Sequence, residues 1–186
     1  MYASKSLTNY LNDLAAKLPA PGGGSAAALS AALGASLISM VINFTIGKSK
    51  YARYERELKQ ALKRSEGARR EFLVLVDMDA AAYKSKDVKA SLDIPVRICR
   101  LCAETAALCP PLIKKGNVNL ISDVGVAAVL LESAFFSALF SVDINLKYRD
   151  DRKLAVRLRK ELDGQGRRVK NFRLKTEAGV GKIIRG

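Results

Sequence analysis

Two aspartates and a run of glycines carry the chemistry that this chain's residues can do. Asp79 stands on a helical stripe with Phe72, Val76 and Tyr83, spaced i, i+4, i+7 and i+11. That spacing sets its carboxylate among apolar side chains, while Asp77, two positions earlier, points elsewhere and is expected in solvent. A carboxyl group held in an apolar setting titrates above its ordinary range, which suits a general acid near neutral pH. Two plainer readings stand beside this one: the stripe turns to the surface at its end, or Asp79 caps a partner helix. Asp123 follows "GNVNLIS" and opens a helix whose small face passes Ala127, Leu130, Ala134, Ser137 and Ser141. A small face admits another helix or a flat ligand, whereas the plainer reading makes Ser122-Asp123 a helix N-cap.

The third element is Pro21-Gly22-Gly23-Gly24-Ser25, placed before a long uncharged stretch. Free N–H groups in a first helical turn, together with the helix dipole, favour an anionic or carbonyl-bearing ligand, and glycines let it approach the backbone. The pattern matches neither the phosphate-loop nor the dinucleotide motif, and its bland reading is a flexible turn with Ser25 as N-cap. Near the end of the same stretch Asn43 and Thr45 interrupt the apolar run, as hydrogen-bonding groups between helices or as groups facing a ligand.

What is missing narrows the chemistry. The chain has no histidine and no tryptophan, so acid–base work falls to Asp, Glu, Lys, Tyr or Cys. Histidine-based metal sites and Ser-His-Asp triads are excluded. Cys99, Cys102 and Cys109 lie close together without a fourth ligand, and on helices they read as small core residues, not as a metal set. An odd, small number of cysteines and the lack of a central apolar block at the N-terminus predict a reduced, cytoplasmic protein.

The elements that must position these groups read as helices throughout. Leu7, Leu11, Leu14 and Leu18 predict a first helix capped by Ser6 and ending near Pro19. A long Ala-, Ser- and Gly-rich helix runs from about Ser25 to Ile46, and a third starts near Lys50 and passes Tyr83. A fourth begins at Pro95 and kinks or ends at Pro110-Pro111. A Gly-Asn loop then leads to an apolar helix ending near Leu146, and a charged helix covers Asp150 to about Leu162. No stretch alternates with a period of two. The fold class is all-α, an antiparallel helical bundle of one domain, 1–163, with a basic tail over 164–186. The uncharged stretch is long enough to span a membrane, but its serines, Asn43 and Thr45 fit better a central helix or one buried by dimerisation. The net charge is +14, with 14 basic and 5 acidic residues from Lys147 onward. Such a surface attracts phosphates, nucleic acid, lipid headgroups or polycarboxylates without choosing among them.

Four segments, "LPAPGGGSAAALSAALGASLISMVINFTIGKSKY", "VDMDAAAY", "KGNVNLISDVGVAAVLLESA" and "VDINLK", resemble in order the signatures of the formiminotransferase-cyclodeaminase C-terminal family, over roughly residues 7 to 160. That family includes single-domain methenyltetrahydrofolate cyclohydrolases. The resemblance implies an all-helical fold, a homodimer or higher homo-oligomer, and a folate site without metal or redox cofactor. It implies catalytic roles for Asp79 and Asp123, one as acid or base and the other stabilising positive charge. It implies a substrate-binding set of Gly22, Gly23, Gly24, Ser25, Asn43, Thr45, Lys48, Tyr51, Tyr83, Asn117, Asn119 and Asn145, with Lys48 or Lys50 meeting the glutamate carboxylates of a folate. It leaves cyclodeaminase and cyclohydrolase open, with a lean to the former because that activity names the fused members. The alternative, from the charge, is a non-catalytic basic module for RNA or another polyanion; the same charge could instead steer polyglutamylated folates. Against the family pattern, the segment "KSKDVKASLDI" before Pro95 is short, Asp143 stands where a basic or apolar residue is usual, and Pro110-Pro111 is unusual.

Overall fold

Helical periodicity runs almost the whole length of the chain, and the computed structural model, which describes residues 1–186, is one all-helical domain without a strand. The helices are α1 (Leu7–Ala15), α2 (Gly23–Asn43), α3 (Glu55–Ser85), α4 (Val88–Ala106), α5 (Cys109–Lys115), α6 (Ile121–Lys147) and α7 (Arg152–Arg185). Short 3-10 turns precede α1, α3 and α6. Ser6 caps α1 as its position predicts, accepting from the Asn9 N–H at 3.2 Å.

Three boundaries differ from the expectation. Helix α2 starts two residues before Ser25: Gly22 is the N-cap, with no side-chain bond, and Ser25 lies in the first turn. Helix α4 starts at Val88 and not at Pro95, because the Asp87 carboxylate caps it by accepting from Lys89 and Ala90 N–H at 3.0 and 2.9 Å. Pro95 is consequently an interior, buried residue of that helix. Residues 83–95 are thus mostly helix, with one tight turn at Lys86, whose φ is +56°. Finally, the stretch read as a basic tail is helical: α7 crosses residue 164 without a break. Leu158, Leu162, Gly166, Val169 and Thr176 form its buried stripe, a helical spacing that continues past the glycines.

Helix α2 packs between α3 and α6. Its buried Ala27, Ala28, Ala31, Ala32 and Ala35 allow the close approach that a large side chain would prevent. The tightest point is Gly34, where an added Cβ would lie 2.9 Å from Leu131 Cγ and 3.2 Å from the Ala127 carbonyl oxygen. The few polar groups in this core are matched, as burial requires: Ser39 and Ser65 share a hydrogen bond at 2.8 Å. Phe72, Phe135, Ile38, Ile98, Leu131 and Leu162 fill the space around them. Cys99, Cys102 and Cys109 are fully buried members of the same core, and burial pushes the Cys99 and Cys109 thiols up to about 12.

By length and composition alone, α2 and the α6 region could each cross a membrane, although 61% of the α2 window is buried inside this domain. What they leave outside is an uncharged face. It runs over Leu33 and Phe44 on α2 and over Val126, Val129, Phe140 and Ile144 on α6, all exposed. Apolar side chains exposed in this number along two packed helices point to an interaction surface.

Gly34→Val is expected to lower stability by about 1–3 kcal/mol through overpacking at the α2–α6 crossing. A shifted urea midpoint with an unchanged slope would check this, and an unchanged midpoint would show that Leu131 yields freely.

Candidate active site

The geometry begins with the first turn of α2. Its N-cap is a glycine, so no side chain takes up the first N–H groups, and Gly23 and Gly24 have no intrahelical acceptor for theirs. Asp79, on α3, lies against this turn. A Cβ added at Gly24 would fall 2.2 Å from Asp79 Oδ1 and 2.7 Å from its carboxyl carbon. Only glycine leaves room for the carboxyl group here. The Ser25 N–H bonds this carboxyl and pulls its pKa down, but burial weighs more, and Asp79 is held above the usual carboxylate range. Two of the readings open at the sequence level therefore hold together: Asp79 sits at the end of a partner helix and in a poorly solvated setting.

A buried relay fixes this junction. The Tyr10 hydroxyl on α1 donates to Ser25 Oγ at 3.2 Å, and Ser25 Oγ donates to the Val76 carbonyl at 3.1 Å. Ser25, expected as N-cap and substrate ligand, is fully buried, and its hydroxyl ties α2 to α3 instead. Asp77, expected in solvent, accepts the Tyr2 N–H and holds the N-terminal turn on α3. Tyr2 in turn donates to the Ala20 carbonyl at 3.1 Å, next to the cis Ala20–Pro21 peptide.

These parts form one side of a cleft of about 450 Å³. Gly22, Gly23, Gly24, Asp79 and Tyr83 line it from α2 and α3; Ser141, Asn145 and Tyr148 line it from the last turns of α6 and just beyond. Asn145 donates to the Ser141 carbonyl at 2.7 Å, and its amide oxygen has no partner within the chain. Tyr83 and Tyr148 are exposed flat rings, at 65% and 79%. Six residues of the expected set thus meet in this cleft. Ser141 was visible in advance only as part of the small face of α6; Tyr10, Ser91 and Tyr148 had no motif to mark them.

The rest of the set lies at the other end of α2. Asn117 N–H donates to Thr45 Oγ1 at 2.9 Å, Asn117 Nδ2 donates to the Phe44 carbonyl at 3.2 Å, and Val118 N–H donates to the Tyr51 hydroxyl at 3.1 Å. Thr45 Oγ1 itself donates to the Val41 carbonyl. Thr45, Tyr51 and Asn117 are buried, and their polar groups clasp the loop before α6. Asn43, Lys48 and Asn119 are exposed and Asp123 half-buried. Asp123 and Asn145 sit 22 residues apart on the same helix, roughly 33 Å, so within one chain Asp79 and Asp123 cannot share a substrate.

Residues 6–87 and 85–164 match the formiminotransferase-cyclodeaminase family, the two stretches meeting at the α3–α4 turn. A methenyltetrahydrofolate cyclohydrolase from Methylorubrum extorquens is 38% identical over 88% of this chain and 90% of its own. The formimidoyltransferase-cyclodeaminase of Mus musculus is 33% identical over 78% of this chain, which spans only 31% of that longer protein. The solved structure of a formiminotetrahydrofolate cyclodeaminase from Thermotoga maritima superposes with a TM-score of 0.94 at 26% identity, covering 99% of this chain and 100% of its own.

Gly24→Ala is expected to displace the Asp79 carboxyl and lower kcat by about 100-fold or more while the helical circular-dichroism spectrum is retained. Full turnover in a folded Gly24→Ala protein would remove Asp79 from the reacting centre.

Proposed function

The chain belongs to the formiminotransferase-cyclodeaminase family, and from that premise we propose that it is a folate one-carbon enzyme working foremost as a methenyltetrahydrofolate cyclohydrolase. The observation that carries the reading is Asp79, a partly buried carboxyl of raised pKa resting on the uncapped start of a helix and lining a cleft closed on its other side by the end of α6. The relative at 38% identity matches over 88% of this chain and 90% of its own length and is named a cyclohydrolase, which moves the preference away from cyclodeaminase.

Methenyltetrahydrofolate carries a cationic ring whose bridging carbon is attacked by water. Asp79 as carboxylate stabilises that cation and accepts the proton of the attacking water. The adduct then opens as one C–N bond breaks: the proton on Asp79 passes to the departing nitrogen, and the hydroxyl of the adduct becomes the formyl carbonyl as its proton is lost to solvent. A single carboxyl serves as base and then acid, which works best when its pKa is raised toward the working pH. The free Gly23 and Gly24 N–H groups are placed to meet oxygen of the substrate or of the adduct, and Tyr83 and Tyr148 offer flat surfaces for its rings.

A second reading, cyclodeaminase, is favoured by the Thermotoga maritima structure. There the substrate's own nitrogen attacks the formimino carbon and Asp79 protonates the amine that leaves as ammonia. Both reactions need the same carboxyl in the same place and neither needs a metal or redox cofactor, so activity should survive exhaustive treatment with a chelator.

We further propose that the active form is a cytoplasmic homodimer centred on Leu33, Val126 and Val129 of the uncharged α2–α6 face, leaving Phe140 open, with no membrane involved. Side-chain bonds from Ser25 to Val76 and from Ser39 to Ser65 support an antiparallel bundle in which successive helices run back along one another. A two-fold axis across the exposed face would then bring the Asn43–Asp123 end of one protomer to the Asp79 cleft of its partner, reuniting the two halves of the expected site.

Asp79→Asn is expected to lower kcat by about 100- to 10,000-fold, followed through the methenyltetrahydrofolate absorbance, and to remove the pH limb that Asp79 sets. Its effect on stability has the opposite sign. The folded pKa lies above the unfolded one, so the stabilisation due to Asp79 is complete below the ordinary carboxylate value and is lost as pH rises through the raised one. Asp79→Asn should therefore match the parent in acid and melt higher than it at neutral and alkaline pH. A variant that melts lower there would show that the carboxylate is held by attraction and not by burial.

A further inference from the structure

Beyond the cleft, the end of α6 and the first turns of α7 enclose a second open groove of about 610 Å³. The two share a wall, since Ile144 lines both. The floor of the groove is apolar, with Ile144 beside the exposed ring of Phe140. Its rim is cationic: Lys147, Arg149, Arg152 and Arg159 stand against one carboxylate, Asp143. Arg159 is partly neutralised by Asp143 at 3.5 Å, and Arg149 is held by donating to the Val88 carbonyl at 2.7 Å. Lys147 and Arg152 make no ion pair.

An apolar floor with an excess of fixed positive charge fits a ligand that is aromatic near one end and multiply anionic at the other. Its continuity with the cleft says where such a ligand comes from. Asn145 and Tyr148 of the cleft wall alternate along the helix end with Lys147 and Arg149 of the groove, so a molecule reacting at Asp79 would extend directly onto these cations. We propose that this groove binds the benzoyl-glutamyl end of the substrate, with Lys147 and Arg152 receiving its carboxylates. This rests on the folate reading of the cleft. It moves to the α6–α7 junction the role expected of Lys48 or Lys50, residues at the far end of α2. It also explains the placement of Asp143: pairing with Arg159 positions that guanidinium while leaving the groove cationic.

The test compares mono- and tri-γ-glutamyl methenyltetrahydrofolate as substrates of the full chain and of the Lys147→Glu/Arg152→Glu variant, with Lys182→Glu as a surface control and Lys48→Glu as the competing site. In the parent, the triglutamyl form is expected to have the lower KM, and the difference should shrink as salt is raised. In the double variant, KM for the triglutamyl form should rise about tenfold or more, with kcat moving far less. Lys182→Glu should leave both constants in place. An unchanged chain-length preference in the double variant, or its loss in Lys48→Glu instead, would overturn the proposal. Free tri-γ-glutamate provides an arm independent of turnover, by titration calorimetry. Binding to the parent and not to the double variant upholds the groove even if the parent converts neither folate, in which case only the reading of the reaction falls. Equal binding to both proteins, or binding to neither, overturns the groove.

Discussion

Everything at the functional end of this molecule depends on a carboxyl group resting on a glycine. Asp79 could not lie where it does if position 24 carried any side chain, and position 24 could not be presented to it if α2 began a turn later. The contact joins the start of α2 to the far end of α3. Opposing electrostatics meet there. The helix start and the Ser25 N–H favour the charged form, burial favours the neutral one, and burial is the larger. A group balanced in this way changes protonation with little reorganisation of its surroundings, as a proton carrier must. The Tyr10–Ser25–Val76 relay keeps the balance from drifting by fixing the helix on which the glycine sits.

Helix α2 has two roles that constrain each other. Toward α3 and α6 it is a packing element, and its alanines let three helices converge. Toward solvent it presents Leu33 and Phe44, both exposed. A helix that must be small on one side and apolar on the other has no place for charge, and that accounts for the uncharged stretch more economically than a lipid environment does. The basic residues are pushed to the periphery, above all to α7, where Arg173 and Arg159 find acidic partners on α6 and most of the others face water.

The helices and Asp79 were legible in the sequence because both follow from one periodicity, the 3.6-residue repeat that placed Asp79 in register with Phe72, Val76 and Tyr83. The boundaries were less so. A glycine cap at Gly22 leaves no side-chain signature, so Ser25, the next polar residue, looked like the cap. Pro95 looked like a helix start because proline is most at ease there, while the real cap, Asp87, was hidden behind the single left-handed residue Lys86. Glycines at 164, 166, 179 and 181 suggested a loose tail, although Gly166 is a buried packing position and the stripe through Val169 and Thr176 continues the helix. Least legible was distance. Motifs quoted one after another say nothing of the length of α6 between them, and only the fold shows that Asp123 and Asn145 stand at opposite ends of it.

The three cysteines have a practical consequence. All are buried, and Cys99 and Cys109 hold their protons to about pH 12, so at ordinary pH they offer almost no thiolate to an alkylating reagent. A cysteine introduced on the surface, for instance in place of Tyr148 at the mouth of the cleft, would be the only fast-reacting thiol in the protein. A fluorophore or spin label could be attached there without first replacing the native residues. The core chemistry thus makes this bundle a ready host for single-site spectroscopy at the mouth of the cleft.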